Sequence, residues 1–471
     1  MKDITGYLQD LNKIAQDRSS DLFIVGGVLR DLYLGRKIKD IDIVLNKRVE
    51  EIARFFADKN EGSIFSLDED REIYRVVISG FIFDFARLAG ENIIEDLKGR
   101  DFTINALACP IGNLNYITEK DFEFISIEKK LIDPLNSLND LSKGIIRITN
   151  KGVFKADPLR MWRALRLKAQ LSYEFSPETI KQIKRDKHLA VNSAAERVKA
   201  ELIQLFAAEN ISGFIKYIEE EFELFSILIP EISEMKKTGE NQHHQENAWE
   251  HCLQVLSMLE DILKEEEYRK LVAEKEIPLI KLTALLHDIG KIASRTVKND
   301  KVHYYGHEQK GAEILIPILK KLKFSRKEIG FITTLVRNHM RPMLLYIADN
   351  LTNKGRFRFF NKVSNLTPLV LLHSLADKLA AMKVNQREEE MEIYREFIND
   401  LLDLYEKYKS NTATLYLSGE EIIEYFSLEE GPLVGKALEK LREAQGSGKV
   451  KDKESAITYL NNYIKNMPGK S

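Results

Sequence analysis

The hydrophobic period of this chain changes once along its length, and that change bounds the fold. Short apolar runs punctuate the first part: Leu22-Phe23-Ile24-Val25, Ile41-Asp42-Ile43-Val44-Leu45, Tyr74-Arg75-Val76-Val77-Ile78 and Phe81-Ile82-Phe83-Asp84-Phe85. Each is too short for a helix and reads as a buried or half-buried strand. Ser79-Gly80 between the last two predicts a hairpin turn. From about Leu159 onward apolar residues recur at helical spacing, as in Leu159, Trp162, Leu165 and again in Val198, Leu202, Leu205, Phe206. The expectation is an α+β chain, with a small mixed sheet and its helices first and helices alone afterwards.

At 471 residues, and roughly 100–200 residues per domain, several domains are expected. The pattern divides as 1–135 (sheet and helices), 136–235 (helical neck), 243–385 (a second helical unit) and 386–471 (helical tail). The polar stretch 236–242 is the linker. With 44% hydrophobic and 31% charged residues, the chain can bury real cores, which excludes a mostly disordered protein. No long uncharged apolar run predicts a membrane span. Met1-Lys2-Asp3-Ile4 lacks the apolar region of a secretory signal. The two cysteines, Cys109 and Cys252, are far apart, so a disulfide framework is excluded and a cytoplasmic location expected. A net charge of −2 argues against a protein built solely to coat nucleic acid, but leaves room for an enzyme with one basic face.

Val25-Gly26-Gly27-Val28-Leu29-Arg30-Asp31 ends a strand in two glycines and starts a helix. Glycines let backbone N–H groups approach a phosphate, and a helix N-terminus adds positive partial charge. Asp40-Ile41-Asp42 on the next strand puts two carboxylates on one face. Carboxylates side by side repel unless a cation sits between them. Mg²⁺ typically takes one or two carboxylates plus substrate phosphates. Glycine turn, helix and Asp-x-Asp together suggest metal-assisted phosphoryl transfer. Asp84 is either a third carboxylate or a core-edge aspartate. The charged stretch Ser66–Glu72 reads either as a mobile loop that helps close the site or as a solvated turn.

Gly26 to Val44 resembles the signature of the class II tRNA nucleotidyltransferase and bacterial poly(A) polymerase family, within the DNA polymerase beta superfamily. The matching residues are Gly26, Gly27, Arg30, Asp31, Leu34-Gly35-Arg36, Asp40 and Asp42, with Leu29 where the family has Val. Gly99-Arg100-Asp101-Phe102-Thr103-Ile104-Asn105-Ala106 resembles the next motif, with Gly99 replacing an Arg. Asp133-Pro134 to Asp140-Leu141 resembles the hinge. Ala156-Asp157-Pro158-Leu159-Arg160 resembles the base-selecting motif, with Ala156 replacing a Glu. Glu196-Arg197 to Glu201-Leu202 resembles the last neck motif. The resemblance implies Asp40 and Asp42 as catalytic Mg²⁺ ligands. It implies nucleotide binding by Gly26, Gly27, Arg30, Asp31, Arg100, Asp101, Asn105, Asp157, Arg160, Arg163 and Arg166. Asp157 and Arg160 are expected on one helical face. An Arg donates to ring acceptors and an Asp accepts from an exocyclic amine, which C and A carry and U and G do not.

Eight of the nine histidines fall between His243 and His373. Imidazole and carboxylate together suit a transition metal better than Ca²⁺. Ala284-Leu285-Leu286-His287-Asp288-Ile289-Gly290-Lys291 resembles the HD metal-dependent phosphohydrolase superfamily. That resemblance implies His251, His287, Asp288 and Asp377 as ligands of a divalent Mn, Ni, Co, Fe or Zn, with His307 and His339 as the extra histidines of two-metal members. His373 reads as a possible core histidine, and His243, His244 and His303 as surface residues.

The family resemblance implies template-independent addition of CCA, or part of it, to the tRNA 3′ end from CTP and ATP. The HD unit would trim RNA 3′ phosphates or cyclic phosphates. Alternatives are A-only or CC-only addition, a poly(A) polymerase, or an HD phosphohydrolase with an RNA-binding head. The expected partners are tRNA and the two nucleotides, with no membrane and no DNA. Lys354, Arg356 and Arg358, interleaved with Phe357 and Phe359, are either a tRNA contact or a solvated helix face.

Overall fold

The computed structural model describes residues 4–38, 40–114, 130–238, 247–299, 301–348, 353–384 and 388–465. His243, His244 and most of the expected linker lie outside them. The described chain forms two compact units, 1–194 and 195–471. The α+β expectation holds, with the large sheet confined to the first unit and helices dominating the second.

The first unit carries a six-stranded mixed sheet. Its strands are β1 (Leu22–Val25), β2 (Asp40–Leu45), β3 (Ser63–Asp68), β4 (Ile73–Ile78), β5 (Phe81–Arg87) and β6 (Ala108–Pro110), in the order β3-β4-β5-β2-β1-β6. Only β2 and β5 run parallel. Ser79 and Gly80 both have positive φ (48° and 87°), as the tight turn between β4 and β5 requires. Of the first three helices, α1 (Ile4–Asp17), α2 (Gly27–Tyr33) and α3 (Val49–Lys59), the first and third pack on one sheet face. Tyr7, Phe56, Phe83 and Phe85 meet there, with Phe56 and Phe83 edge-on at 4.9 Å between ring centres. Each such pair adds about 0.5–1.5 kcal/mol beyond its burial.

Strand alternation sends Asp40, Asp42 and Val44 to the opposite face. Val44 is covered by Leu97 of α4 (Ile93–Gly99) together with Val25 and Ala108. Asp40 and Asp42 occupy the end of the strand outside that apolar cover.

Three expectations need correction. Ser66–Glu72 is not one loop, because β3 extends to Asp68 and only the next residues turn. β3 is an edge strand with Phe65 and Leu67 half exposed, so its sequence carries no clean buried alternation. The region after Leu159 is not wholly helical, since Thr296–Lys298 and Lys301–His303 form a small hairpin. Asp157 does not share a helix with Arg160. It is extended (φ −149°, ψ 102°), and the helix runs Leu159–Leu171. Pro158 explains this, because a residue before proline is driven out of the helical region.

In the second unit the Ala248–Ile262 helix packs on Ile277–Leu286 and Thr367–Val384. A buried ion pair joins the first two: Lys281 Nζ lies 2.8 Å from Glu260 Oε1 and donates to the Ala208 carbonyl. Glu260 also accepts the Ile211 and Ser212 amides. Removing one partner of such a pair costs about 3–5 kcal/mol. The tail has its own core, including Leu417, Ile422, Leu441 and Leu460. Phe357 and Phe359 are buried, and Phe357 stacks on Tyr408, so these aromatics belong to packing. No described helix is long and apolar enough to cross a membrane.

Candidate active sites

In the first unit the carboxylates meet across two strands. Asp42 pairs in register with Asp84 of β5 on one side and Val25 of β1 on the other. Burial pushes the Asp42 carboxyl up, Arg100 pulls it down, and Asp84 and Asp40 push it up again, for a net rise. Arg75 grips Asp84 with two hydrogen bonds of 2.8 Å. A hard cation between these oxygens would relieve the repulsion, so the donor set fits a Mg²⁺-type ion.

Gly26 follows β1 directly and has φ 76°. A Cβ there would lie 2.8 Å from Arg100 Nη1 and 3.4 Å from Asp42 Oδ2. The glycine therefore serves both the left-handed backbone and the close approach of this guanidinium. Arg100 is steadied by Asp96, whose Oδ2 accepts from Nε at 3.0 Å. Asn92 caps the start of α4 by accepting the Ile94 and Glu95 amides, and Arg100 leaves the helix at its other end in an extended conformation (φ −69°, ψ 175°).

Behind the turn runs a buried chain of polar contacts. Arg30 donates to both Asp31 oxygens and to Asn105 Oδ1 (2.6 Å). Asn105 donates to Asp101, and Arg163 Nε donates to the other Asp101 oxygen at 2.8 Å. Burial opposes ionisation of Asp101, but Arg163, Asn105 and the Phe102 amide outweigh it and hold the carboxyl down at about 2. Arg160 donates to the Gly99 carbonyl at 3.0 Å. Asp157 accepts the Leu159 amide at 3.1 Å. Arg166 donates to Gln170. Open space surrounds the Cβ direction of Gly99, so packing does not force that glycine. Sequence reading missed Asp96 and Arg75, because neither lies in a motif and each acts only through a partner brought close by folding.

In the second unit all six expected ligands converge. A capping box between Asn247 and Glu250 starts the helix that carries His251, a device worth about 1 kcal/mol. His251 Nε2 lies 2.9 Å from Asp377 Oδ1. His307 Nε2 lies 3.2 Å from Asp288 Oδ1 and 3.2 Å from His339 Nε2. Two triads, His251/His287/Asp377 and His287/Asp288/His339, each keep their donor atoms within 4.8 Å of one another.

The local chemistry sets the tautomers. His287, His307 and His339 each point Nδ1 at the carbonyl three residues earlier, that of Ala284, Tyr304 and Val336. A carbonyl only accepts, so Nδ1 carries the proton and Nε2 keeps a lone pair. His307 and His339 thus aim two lone pairs at each other. His287 Nε2 is buried without a hydrogen-bond partner among the described residues. Burial holds His287 down at about 4 and lowers His339 as well. Burial also pulls His251 down, but its hydrogen bond to Asp377 and the nearby carboxylates more than reverse this. Neutral imidazoles and carboxylates with aligned donors fit a divalent metal.

Gly290 explains the compactness. A Cβ there would collide with the His307 carbonyl and the Gly311 backbone. That close approach brings His307 to Asp288. Lys291, quoted in the motif but given no role, sits 2.5 Å from Asp288 Oδ2. His373 is buried, with its ring 5.0 Å from that of His287.

A carboxylate-bearing sheet with a glycine turn, joined in one chain to a histidine-aspartate centre on helices, defines a nucleotidyltransferase with an HD domain. Comparisons agree. A Poly A polymerase head domain model matches residues 22–147, a model of the probable RNA and SrmB-binding site of polymerase A matches 172–236, and an HD domain model matches 248–382. Enzymes built from such head and HD domains are generally metal-dependent. A CC-adding tRNA nucleotidyltransferase of Thermus thermophilus is 31% identical over 454 residues, covering 93% of each chain. An A-adding tRNA nucleotidyltransferase of Deinococcus radiodurans is 29% identical, covering 95% of this chain and 96% of the relative. The chain belongs to the tRNA nucleotidyltransferase family and is a nucleotidyltransferase. The fold is shared with the Thermotoga maritima CCA-adding enzyme complexed with tRNA, at a TM-score of 0.61 and 20% identity over 98% of this chain and 95% of that one.

Proposed function

We propose that this enzyme adds C and A residues, all or part of CCA, to the 3′ end of tRNA from CTP and ATP. The carrying observation is the meeting of Asp42, Asp84, Gly26 and Arg100 at the open end of β2. Asp40 and Asp42 would hold Mg²⁺, with Asp84 beside them held by Arg75. A metal held there would lower the pKa of the terminal ribose hydroxyl and steady charge at the α-phosphate. The hydroxyl oxygen attacks that phosphorus, its proton leaves, and the bond to the pyrophosphate oxygen breaks. Arg100 faces the triphosphate across Gly26 and Gly27. Arg30 and Asp31, tied to Asn105 and through it to Asp101 and Arg163, hold the shape of that turn. Arg160, pinned to the Gly99 carbonyl, and Asp157 present a donor and an acceptor to the base, and C and A answer both. Arg166 lies two turns further along the same helix.

Primer extension tests this, using tRNA transcripts ending at the discriminator base, after C, and after C-C, each with labelled CTP or ATP. Addition to any of these ends is expected. Both nucleotides added to the shortest transcript mean full CCA addition, while A added only to the C-C end, or C-C alone, means partial addition. Long A tails would make the enzyme a poly(A) polymerase, and no addition would overturn the reading.

For the second unit we infer a phosphohydrolase that clears phosphate from RNA 3′ ends. The facing lone pairs of His307 and His339 support it. A divalent transition metal held by His251, His287, Asp288, His307, His339 and Asp377 would supply an activated water and polarise the phosphate. Lys291 orients Asp288.

A further inference from the structure

The segment between Asp288 and His307 does more than join two ligands. It rises as the hairpin Thr296–Lys298 and Lys301–His303, closed on one side by the Thr296 hydroxyl donating to the His303 carbonyl. Its end is locked to the histidine cluster. The Tyr304 carbonyl accepts from His307 Nδ1, and the Tyr304 ring lies under Lys291 Nζ at 5.8 Å. The next residue turns outward. Tyr305 is 69% exposed, and its ring stacks on His303 at 5.0 Å with the planes 12° apart. One face of the tyrosine is thus backed by imidazole while most of the ring meets solvent. Val297, Arg295 and Lys298 on the same hairpin are also exposed. A single exposed aromatic is ordinary, but this one is held flat against an imidazole and leaves an open ring face on which a planar group can stack.

The position decides the ligand. Tyr305 and His307 are two residues apart, so their Cα atoms are at most about 7 Å apart. A planar group resting on Tyr305 lies one nucleotide's reach from the donors of His307 and Asp288. Exposed cations beside it suit a polyanion. Planar aromatic, phosphate and polyanion together describe the end of an RNA strand.

We propose that Tyr305, backed by His303, is the stacking platform that holds the terminal base of the HD centre's substrate, so that this centre prefers a phosphate on a nucleoside to the same phosphate without a base. The proposal rests on the phosphohydrolase reading above. It also makes the hairpin, not the metal cluster, the source of substrate choice.

The test uses the full metal-loaded chain and two short oligoribonucleotides carrying a 3′-phosphate, one ending in adenosine and one in an abasic ribose. Wild-type protein is expected to favour the base-bearing end through a lower KM. Tyr305→Ala should shrink that preference on the order of tenfold, and Tyr305→Phe should restore it. An oligonucleotide ending in 4-thiouridine 3′-phosphate, irradiated with the metal-free protein, should crosslink to the peptide containing Tyr305. If wild type hydrolyses both ends equally, or Tyr305→Ala keeps the preference, the platform is refuted while the phosphohydrolase stands. Crosslinks confined to other peptides also refute it. If wild type hydrolyses neither end, both readings fall.

Discussion

The two centres gather their candidate metal ligands by opposite local geometries. In the head, carboxylates at i and i+2 share one face because strands alternate, and a parallel neighbour adds Asp84 in register with Asp42. In the HD unit no pair of ligands except His287 and Asp288 is adjacent in sequence, and each imidazole needs its own lock, usually a carbonyl three residues back. The head offsets its carboxylates with built-in arginines, Arg100 and Arg75. The HD centre places Lys291 on Asp288 and His251 on Asp377, and leaves His307 and His339 facing each other lone pair to lone pair. On the proposed reading the sheet would set its carboxylates before a metal binds, whereas a metal would complete the helical site.

That contrast can be broken by substitution. The largest effect should come from Asp42→Asn, which removes a carboxylate proposed to hold the metal. Nucleotide addition should fall at least about a hundredfold, read as kcat/KM in primer extension. A loss confined to KM would argue that Asp42 only binds. Next, Gly290→Ala and Gly26→Ala compare the two glycines. The first forces apart the backbones behind His307 and Asp288 and should cost about 1–3 kcal/mol of second-unit stability together with metal affinity, followed by thermal unfolding with and without metal. The second strains the backbone by about 1–2 kcal/mol and displaces Arg100, so addition should suffer more than folding. If Gly290→Ala bound metal normally, the close approach would not be what completes that site. A smaller effect is expected from Arg160→Ala, with discrimination of CTP and ATP against UTP and GTP falling about tenfold, since a two-point base contact contributes about 1–3 kcal/mol.

The remaining effect is one of pH, read on stability and not on activity. Asp101 is held at about 2 against an ordinary 3.8. A depressed carboxyl stabilises the folded state above its ordinary value and loses that contribution as pH falls towards 2. About 2 kcal/mol should therefore disappear across that interval. Acid unfolding of Asp101→Asn should be flatter there than that of wild type.

Much of this was legible before the structure because the motifs carry their own geometry. Asp-x-Asp on a strand already states a shared face, and His-Asp-Ile-Gly-Lys already names two ligands and the glycine that brings a third. What stayed hidden depends on partners far apart in sequence. Arg75 matters only because β4 and β5 pair, and Asp96 only because α4 ends beside Gly26. The edge strand β3 and the 296–303 hairpin bury too little to leave an alternating pattern. The shared helical face of Asp157 and Arg160 failed on one residue, Pro158, whose effect on its predecessor outweighs spacing. Specificity was not legible at all. Relatives of near-equal similarity are named for adding A and for adding CC, so the choice lies in details finer than the shared motifs.

On the proposed reading, one chain carries two chemically independent centres. Asp288→Ala tests it most directly, with nucleotide addition to tRNA and 3′-phosphate release from RNA measured on the same preparation. Phosphate release should be abolished while addition keeps its wild-type rate. Equal loss of both activities would contradict it.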